Sequence, residues 1–352
     1  MLSAEAFRAI VSGEMRGPIG FGVRGLLSCA EWPYAAAMKW RNRRFDRGDA
    51  ESFRVDVPVI SIGNVTLGGT GKTPLVAWLA KWFREQQIRV SIISRGYGAG
   101  TESRNDEAKE LEARLPDVPH LQNPDRYAAA RVAVDELETQ LILLDDGFQH
   151  RRLQRDLDLV LIDATEPFGY EHVFPRGTLR EPLQGLKRAH AIMLTRCNLV
   201  DDSTRAAIRR RVQQVAPQAC WLEAEHDAVQ LCSASGATTS LDALTDRPVA
   251  AFCGIGNPTA FRQTLTNKHF QIERFREFPD HHNYGRDDLE SLQSWLADSS
   301  TQAAICTHKD LVKLAVERLG SHPLWALMID LHISSGQPEL EKLLQQVMQR
   351  VS

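Results

Sequence analysis

The stretch VISIGNVTLGGTGKTPLVAWLA, Val59 to Ala80, changes character twice. It begins as a β-branched, apolar run, breaks at Gly68, Gly69 and Gly71, and resumes with apolar residues suited to a helix. A strand, a glycine turn and a helix in that order form the setting of a phosphate-binding loop. The loop Thr66, Leu67, Gly68, Gly69, Thr70, Gly71, Lys72, Thr73 departs from the general pattern at its first glycine, which here is Thr66. It matches instead the variant with paired glycines just ahead of the lysine. The chemistry survives this change, because the remaining glycines let successive backbone N–H groups turn toward phosphate oxygens. The N-terminus of the helix expected from Pro74 adds partial positive charge. Lys72 is expected to reach the β and γ phosphates, and the Thr73 hydroxyl to ligate Mg²⁺.

Outward from this loop, apolar runs alternate with helical stretches: RVSIIS, LILLDD, LDLVLID, AIMLTR, VAAFCGIG, AAICTH and LWALMIDL. The alternation predicts an α/β fold, a P-loop NTPase-like and largely parallel sheet with helices on both faces, and a second, smaller α/β domain. The expected boundaries are an N-terminal helical segment over 1–50 and a nucleotide-binding domain over 51–230. A linker over 231–247, rich in small polar residues, and a C-terminal domain over 248–352 follow.

At 352 residues and 43% hydrophobic side chains the chain can bury a substantial core, and its net charge of −3 argues against general nucleic-acid binding. The six cysteines are scattered and form no CxxC pair, the usage of a reducing compartment. The opening MLSAEAFRAIVSGEMRG carries acidic residues and no sustained apolar core, so a cytoplasmic location is expected. Residues 18–48 mix apolar and aromatic side chains with Arg24 and Glu31 and end in Arg41, Arg43 and Arg44. Internal charge and Pro33 argue against a membrane-spanning helix. The segment reads either as a helix lying in a bilayer interface or as one packed on its own domain with a solvated basic end.

A P-loop requires a metal carboxylate at the end of a neighbouring strand, and LILLDDGFQH supplies Asp145 and Asp146. Asp163, which closes LDLVLID, is a weaker competitor. Guanine-specific switches carry an NKxD element, but the nearest strings here are THKD at Thr307 and TRCN at Thr195. ATP is therefore favoured over GTP.

Several strings together resemble the tetraacyldisaccharide 4′-kinase family, the lipid A 4′-kinases: SIGNVTLGGTGKTP, ISRGYG, NDEA, DDGFQHRRLQRDLDLVLID, RGTLREPL, GIGNP, FPDHHNY and KDLVKL. They run in order from Ser61 to Leu314. The resemblance implies transfer of the γ-phosphoryl group of ATP, with Mg²⁺, to the 4′-hydroxyl of a lipid disaccharide 1-phosphate. It places the enzyme peripherally, on the inner membrane's cytoplasmic surface, with no obligate protein partner, and so favours the interfacial reading of the N-terminal helix. By position in NDEA, Asp106 matches the family's catalytic aspartate and is followed by Glu107, although Asn105 stands where the family has glycine. In FPDHH, His281 matches the partner of that aspartate. Because it lies in the C-terminal domain, activity is expected to depend on domain closure. Arg180 and Glu181 are expected near the phosphates or the acceptor head group, and His150 at the lining of the site. Arg151, Arg152 and Arg155 read equally as acceptor-phosphate ligands or a solvated turn. His308 departs from the usual TEKD string. The rival readings are a membrane-associated ATPase switch without an acceptor and a soluble small-molecule kinase or ligase.

Overall fold

Each apolar run named above folds as a strand. The computed structural model describes residues 4–96, 106–280 and 282–351. Close contacts divide the chain into two units, one of Met1–Arg95, Val118–Glu225 and Ile333–Ser352, the other of Gly96–Asp117 and His226–His332.

The first unit opens with helices α1 (Ala4–Ser12) and α2 (Pro18–Asp46), then β1 (Val59–Asn64), α3 (Lys72–Glu85) and β2 (Val90–Ser94). Helix α4 (Asp106–Arg114) belongs to the second unit. The chain returns to the first for β3 (His120–Gln122), α5 (Arg126–Asp135), β4 (Leu141–Asp145), β5 (Leu157–Asp163), β6 (Ala191–Thr195) and α6 (Asp202–Val215). Strand β7 (Cys220–Cys232) begins in the first unit and ends in the second. There follow β8 (Thr238–Thr239), β9 (Pro248–Cys253), α7 (Pro258–Asn267), β10 (Gln271–Glu277), α8 (Arg286–Ala297), β11 (Ala303–Thr307), α9 (His308–Leu314) and β12 (Arg318–Leu319). Strand β13 (His322–Ser335) leads back to the first unit and α10 (Gln337–Met348).

In the first unit the strands run parallel in the order β3-β2-β4-β1-β5-β6, with the start of β7 paired to β6. Every residue of β1, β4 and β5 is buried. Successive side chains of a strand point to opposite faces, so both faces of this sheet are covered. Helix α5, capped by the Asp125 carboxylate, sets Ala129, Ala130 and Ala133 against Val59, Ile93, Ile142 and Leu144. Ile208 and Val212 of α6 pack with Val160, Ile162, Ile192 and Leu194. Strand β1 has β4 on one side and β5 on the other. Its carboxyl end is therefore a crevice of the kind in which open α/β sheets bind ligands.

The second unit has its own parallel strands in the order β10-β9-β11-β13 and two apolar clusters. The division differs from the sequence expectation at several places: residues 1–50, expected as a separate segment, and 333–352, expected in the C-terminal domain, group with the first unit. The contact boundary at Glu225 falls inside β7, and residues 231–247 hold the β7–β8 hairpin and a short 3-10 turn. Small polar residues there build a hairpin rather than a free connector. Residues 96–117, expected in the nucleotide-binding domain, group with the second unit, where Ala108 and Leu111 of α4 are buried. Strands β3, β7 and β10 were not legible as apolar runs: β3 has three residues, and β7 and β10 interleave charged with apolar positions.

Candidate active site

The loop after β1 leaves the sheet at Asn64 and enters α3 at Lys72, two residues earlier than expected. Gly68 and Gly71 have φ of 114° and 82°, values that glycine adopts without strain. Gly71 is the N-cap of α3, so Lys72 and Thr73 begin a helix whose first N–H groups have no partner within the helix. Pro74 lies in that first turn and costs no helical hydrogen bond.

Asp145 is the last residue of β4 and lies beside Ile62 in the β1–β4 register, at the foot of the loop. Asp146 follows in a left-handed conformation, φ 51°. The Arg180 guanidinium donates to both of its carboxylate oxygens, at 2.9 and 2.7 Å, and the Lys72 ammonium stands 3.5 Å away. Burial alone would raise the pKa of Asp146, but Lys72 and Arg180 outweigh it and hold the carboxyl below its ordinary value. Arg180 also donates through Nε to the Thr66 carbonyl at 3.0 Å, and its own N–H reaches the Val65 carbonyl at 2.7 Å. The RGTLREPL segment is therefore laced to the phosphate loop, a relation completed by Leu67 N–H donating to Thr178.

Among the described residues no group of three or more acidic, His or Cys side chains forms a cage for a cation. Magnesium in such sites takes only one or two protein oxygens and fills the rest of its shell with phosphate and water. A Thr73 hydroxyl and an Asp145 carboxylate at the end of the adjoining strand match that donor set. Asp146 is engaged by two cations instead.

Glu181, expected near the phosphates or the acceptor, is almost fully buried in a different role. Its carboxylate accepts from Arg188 at 2.9 Å, from Asn42 at 2.7 Å and from Gln149 at 3.1 Å. Through Asn42 this network ties α2 to the site segment. The Tyr34 hydroxyl adds a bond to the Arg180 carbonyl at 3.1 Å, and Arg41 one to the Gln149 carbonyl at 2.6 Å. These partners were invisible in the sequence, because a lone Asn, Gln or Tyr on a helix carries no motif.

His150 is half-buried, and its pKa is lowered to about 4 by burial first and then by Arg126, Arg155 and Arg41. Of the three arginines after DDGFQH, Arg151 and Arg155 are half-buried and Arg152 is exposed, and each has an acidic neighbour. Arg151 pairs with Asp46, Arg152 stands near Glu51, and Arg155 pairs with Asp158. Asp163 pairs with Arg196 and accepts from the Thr165 N–H and hydroxyl.

The other motifs gather in the second unit. Asp106 opens α4, but its side chain, that of Glu107 and all of His281 lie outside the described residues. GIGNP and FPDHHNY meet at the fully buried Asp310 of KDLVKL. Its carboxylate accepts from Gly254 N–H of GIGNP at 3.2 Å, the Tyr284 hydroxyl of FPDHHNY at 2.9 Å and the Thr307 hydroxyl at 2.6 Å. Lys313 donates to the His282 carbonyl at 2.9 Å. His308 of α9 lies 3.9 Å from Glu110 of α4.

Comparison with known proteins places these features in a family. The family model described as LpxK, tetraacyldisaccharide-1-P 4′-kinase, matches residues 23–349. The tetraacyldisaccharide 4′-kinase of Anaeromyxobacter sp. (strain K) is 35% identical over 94% of this chain and 92% of its own length. That of Halothermothrix orenii is 34% identical over 88% of each chain. A crystal structure of LpxK from Aquifex aeolicus in complex with ATP is similar with a TM-score of 0.74 and 28% identity, over 92% of this chain and 99% of that one.

Proposed function

Because the chain belongs to the tetraacyldisaccharide-1-P 4′-kinase family of lipid A biosynthesis, we propose that the cluster around Lys72 moves the γ-phosphoryl group of ATP onto the 4′-hydroxyl of tetraacyldisaccharide 1-phosphate. The observation that carries this reading is the convergence of Lys72, Asp146 and Arg180 on the glycine loop at the carboxyl end of β1.

Phosphoryl transfer passes through a loose transition state, so alignment and charge neutralisation do most of the work. Lys72 and the loop N–H groups hold the phosphates, and Asp146, itself held by Arg180, fixes the Lys72 ammonium. Thr73 and Asp145 would hold Mg²⁺, which when bound would neutralise charge on the phosphate oxygens. Asp106 takes the proton of the acceptor hydroxyl, and His281 orients that carboxylate.

The acceptor is a lipid, and the exposed side of α2 supports work at a bilayer surface. Ile19, Phe21, Leu26, Trp32 and Trp40 are all exposed, Trp32 by 81%, and Arg43 and Arg44 follow in the last turn. Among the described residues no helix is long and apolar enough to cross a membrane. Burial of each such side chain is worth roughly 1.5–3 kcal/mol, so five suffice for interfacial binding aided by basic residues at headgroup depth. The helix runs through Pro33 unbroken, with Pro33 and Cys29 exposed.

The test is transfer of labelled γ-phosphate from Mg-ATP to tetraacyldisaccharide 1-phosphate in mixed micelles, with Lys72→Ala as the blank. Labelled lipid formed only by the wild type supports the proposal. ATP hydrolysis without labelled lipid would move the assignment to an ATPase switch.

A further inference from the structure

The TRCN string, which carries no base-reading motif, ends at the phosphate loop. Three consecutive peptides of that loop have their carbonyl oxygens held by side chains. Asn64 Nδ2 donates to the Gly68 carbonyl at 3.3 Å, Arg196 Nη2 to the Gly69 carbonyl at 3.0 Å and the Thr195 hydroxyl to the Thr70 carbonyl at 2.9 Å. In a trans peptide the C=O and the following N–H point in opposite directions. Holding these carbonyls therefore aims the N–H groups of Gly69, Thr70 and Gly71 the other way, as an anion-binding nest.

Two of the three ties come from neighbouring residues at the end of β6. Arg196 has a left-handed backbone, φ 56°, and its guanidinium is gripped through Nη1 by Asp163 at the end of β5. Asp163 and Thr195 are partners in the β5–β6 register. The sheet itself thus sets where the Arg196 guanidinium stands.

We propose that Arg196, oriented by Asp163, is a positioning residue: it acts on the nucleotide through the Gly69–Thr70 peptide, keeping that N–H aimed at the polyphosphate without Arg196 touching the phosphates. Asp163 thereby has a task distinct from metal binding, and Thr195 performs the same task one peptide later.

Calorimetric titration of the full chain with inorganic tripolyphosphate and with ATP tests this, using wild type, Arg196→Met, Arg196→Lys and Asp163→Asn. Loss of one aimed donor to a charged ligand should weaken binding of both ligands about 10- to 100-fold in Arg196→Met. Arg196→Lys should recover part of the loss. Asp163→Asn is the decisive variant. If Arg196 acted as a direct phosphate ligand, releasing it from Asp163 would strengthen tripolyphosphate binding; as a positioning residue, it must weaken binding when its anchor is removed. Stronger binding in Asp163→Asn overturns the proposal, as does tripolyphosphate binding in Arg196→Met equal to wild type. Should Arg196→Met fail to fold, Thr195→Val takes its place with the same expected loss of tripolyphosphate affinity, and an unchanged affinity overturns the proposal equally.

Discussion

One guanidinium nitrogen of Arg180 bridges both carboxylate oxygens of Asp146, at 2.9 and 2.7 Å, while the Lys72 ammonium stands 3.5 Å from the same carboxylate. Adjacent aspartates thus have different surroundings: Asp146 faces two cations, and Asp145 closes β4 beside the glycine loop.

The two carboxylates should separate in their metal dependence. Asp145→Asn is expected to raise the Mg²⁺ concentration needed for half-maximal activity at least about tenfold, since the oxygen proposed to ligate the ion loses its charge. Asp146→Asn should lower kcat about 100-fold with the Mg²⁺ requirement little changed, because it frees Lys72 and Arg180 from their alignment. Initial rates across a Mg²⁺ series for both variants check this; the reverse assignment of effects would exchange their roles.

Two glycines of the same segment should fail for different reasons. A Cβ on Gly63 would lie 2.6 Å from the Phe148 Cβ and 2.8 Å from its backbone nitrogen, whereas one on Gly69 meets nothing within 4 Å. Gly63→Ala should therefore cost about 1–3 kcal/mol of stability. Gly69→Ala should leave the melting temperature near wild type yet weaken ATP binding, since the phosphates must approach that backbone closely. Thermal melts paired with nucleotide titrations separate the two.

His150 should shape the acid limb of stability. Its folded pKa of about 4 lies below the roughly 6.5 of an unfolded histidine, so the unfolded chain binds more protons between those values. The stability gained by keeping this imidazole neutral is complete above about pH 6.5 and is lost as pH falls toward 4. His150→Asn should show a shallower fall in melting temperature across that window than wild type. Equal slopes would remove His150 from the account.

Helix α2 should govern vesicle binding without governing the fold. Trp32 and Trp40 are exposed, whereas Tyr34 and Ala35 pack against the buried core. Trp32→Ser with Trp40→Ser is expected to weaken partitioning onto anionic vesicles at least about tenfold, as transfer of each large apolar side chain contributes roughly 1.5–3 kcal/mol. The far-ultraviolet spectrum should be unchanged. Undiminished flotation with vesicles would show that another surface makes the contact.

Much of this molecule is local in origin and could be read directly. The glycines at 68, 69 and 71 announce a turn because only glycine bends freely there. Val59–Asn64 and Leu141–Asp145 announce strands because both faces of a parallel sheet are buried and demand continuous apolar residues. The acidic pair after LILL, the lysine after the glycines and the nucleotide-binding fold followed from spacing alone, and the family from the order of its strings. Pro74 marked the helix two residues late, since proline is tolerated anywhere in a first turn.

The tertiary structure decided the pairings. Arg180 meets Asp146 across 34 residues of chain, and Arg196 meets the Gly69 carbonyl across 127. It also placed Glu181 in a buried network with Asn42, Gln149 and Arg188, grouped residues 96–117 with the second unit, and brought GIGNP, FPDHHNY and KDLVKL to one carboxylate at Asp310. Secondary structure depends on the periodicity of neighbouring residues, which a linear reading contains. Which charge lies against which depends on strand order and register, and those are settled only when the sheet assembles and buries its faces.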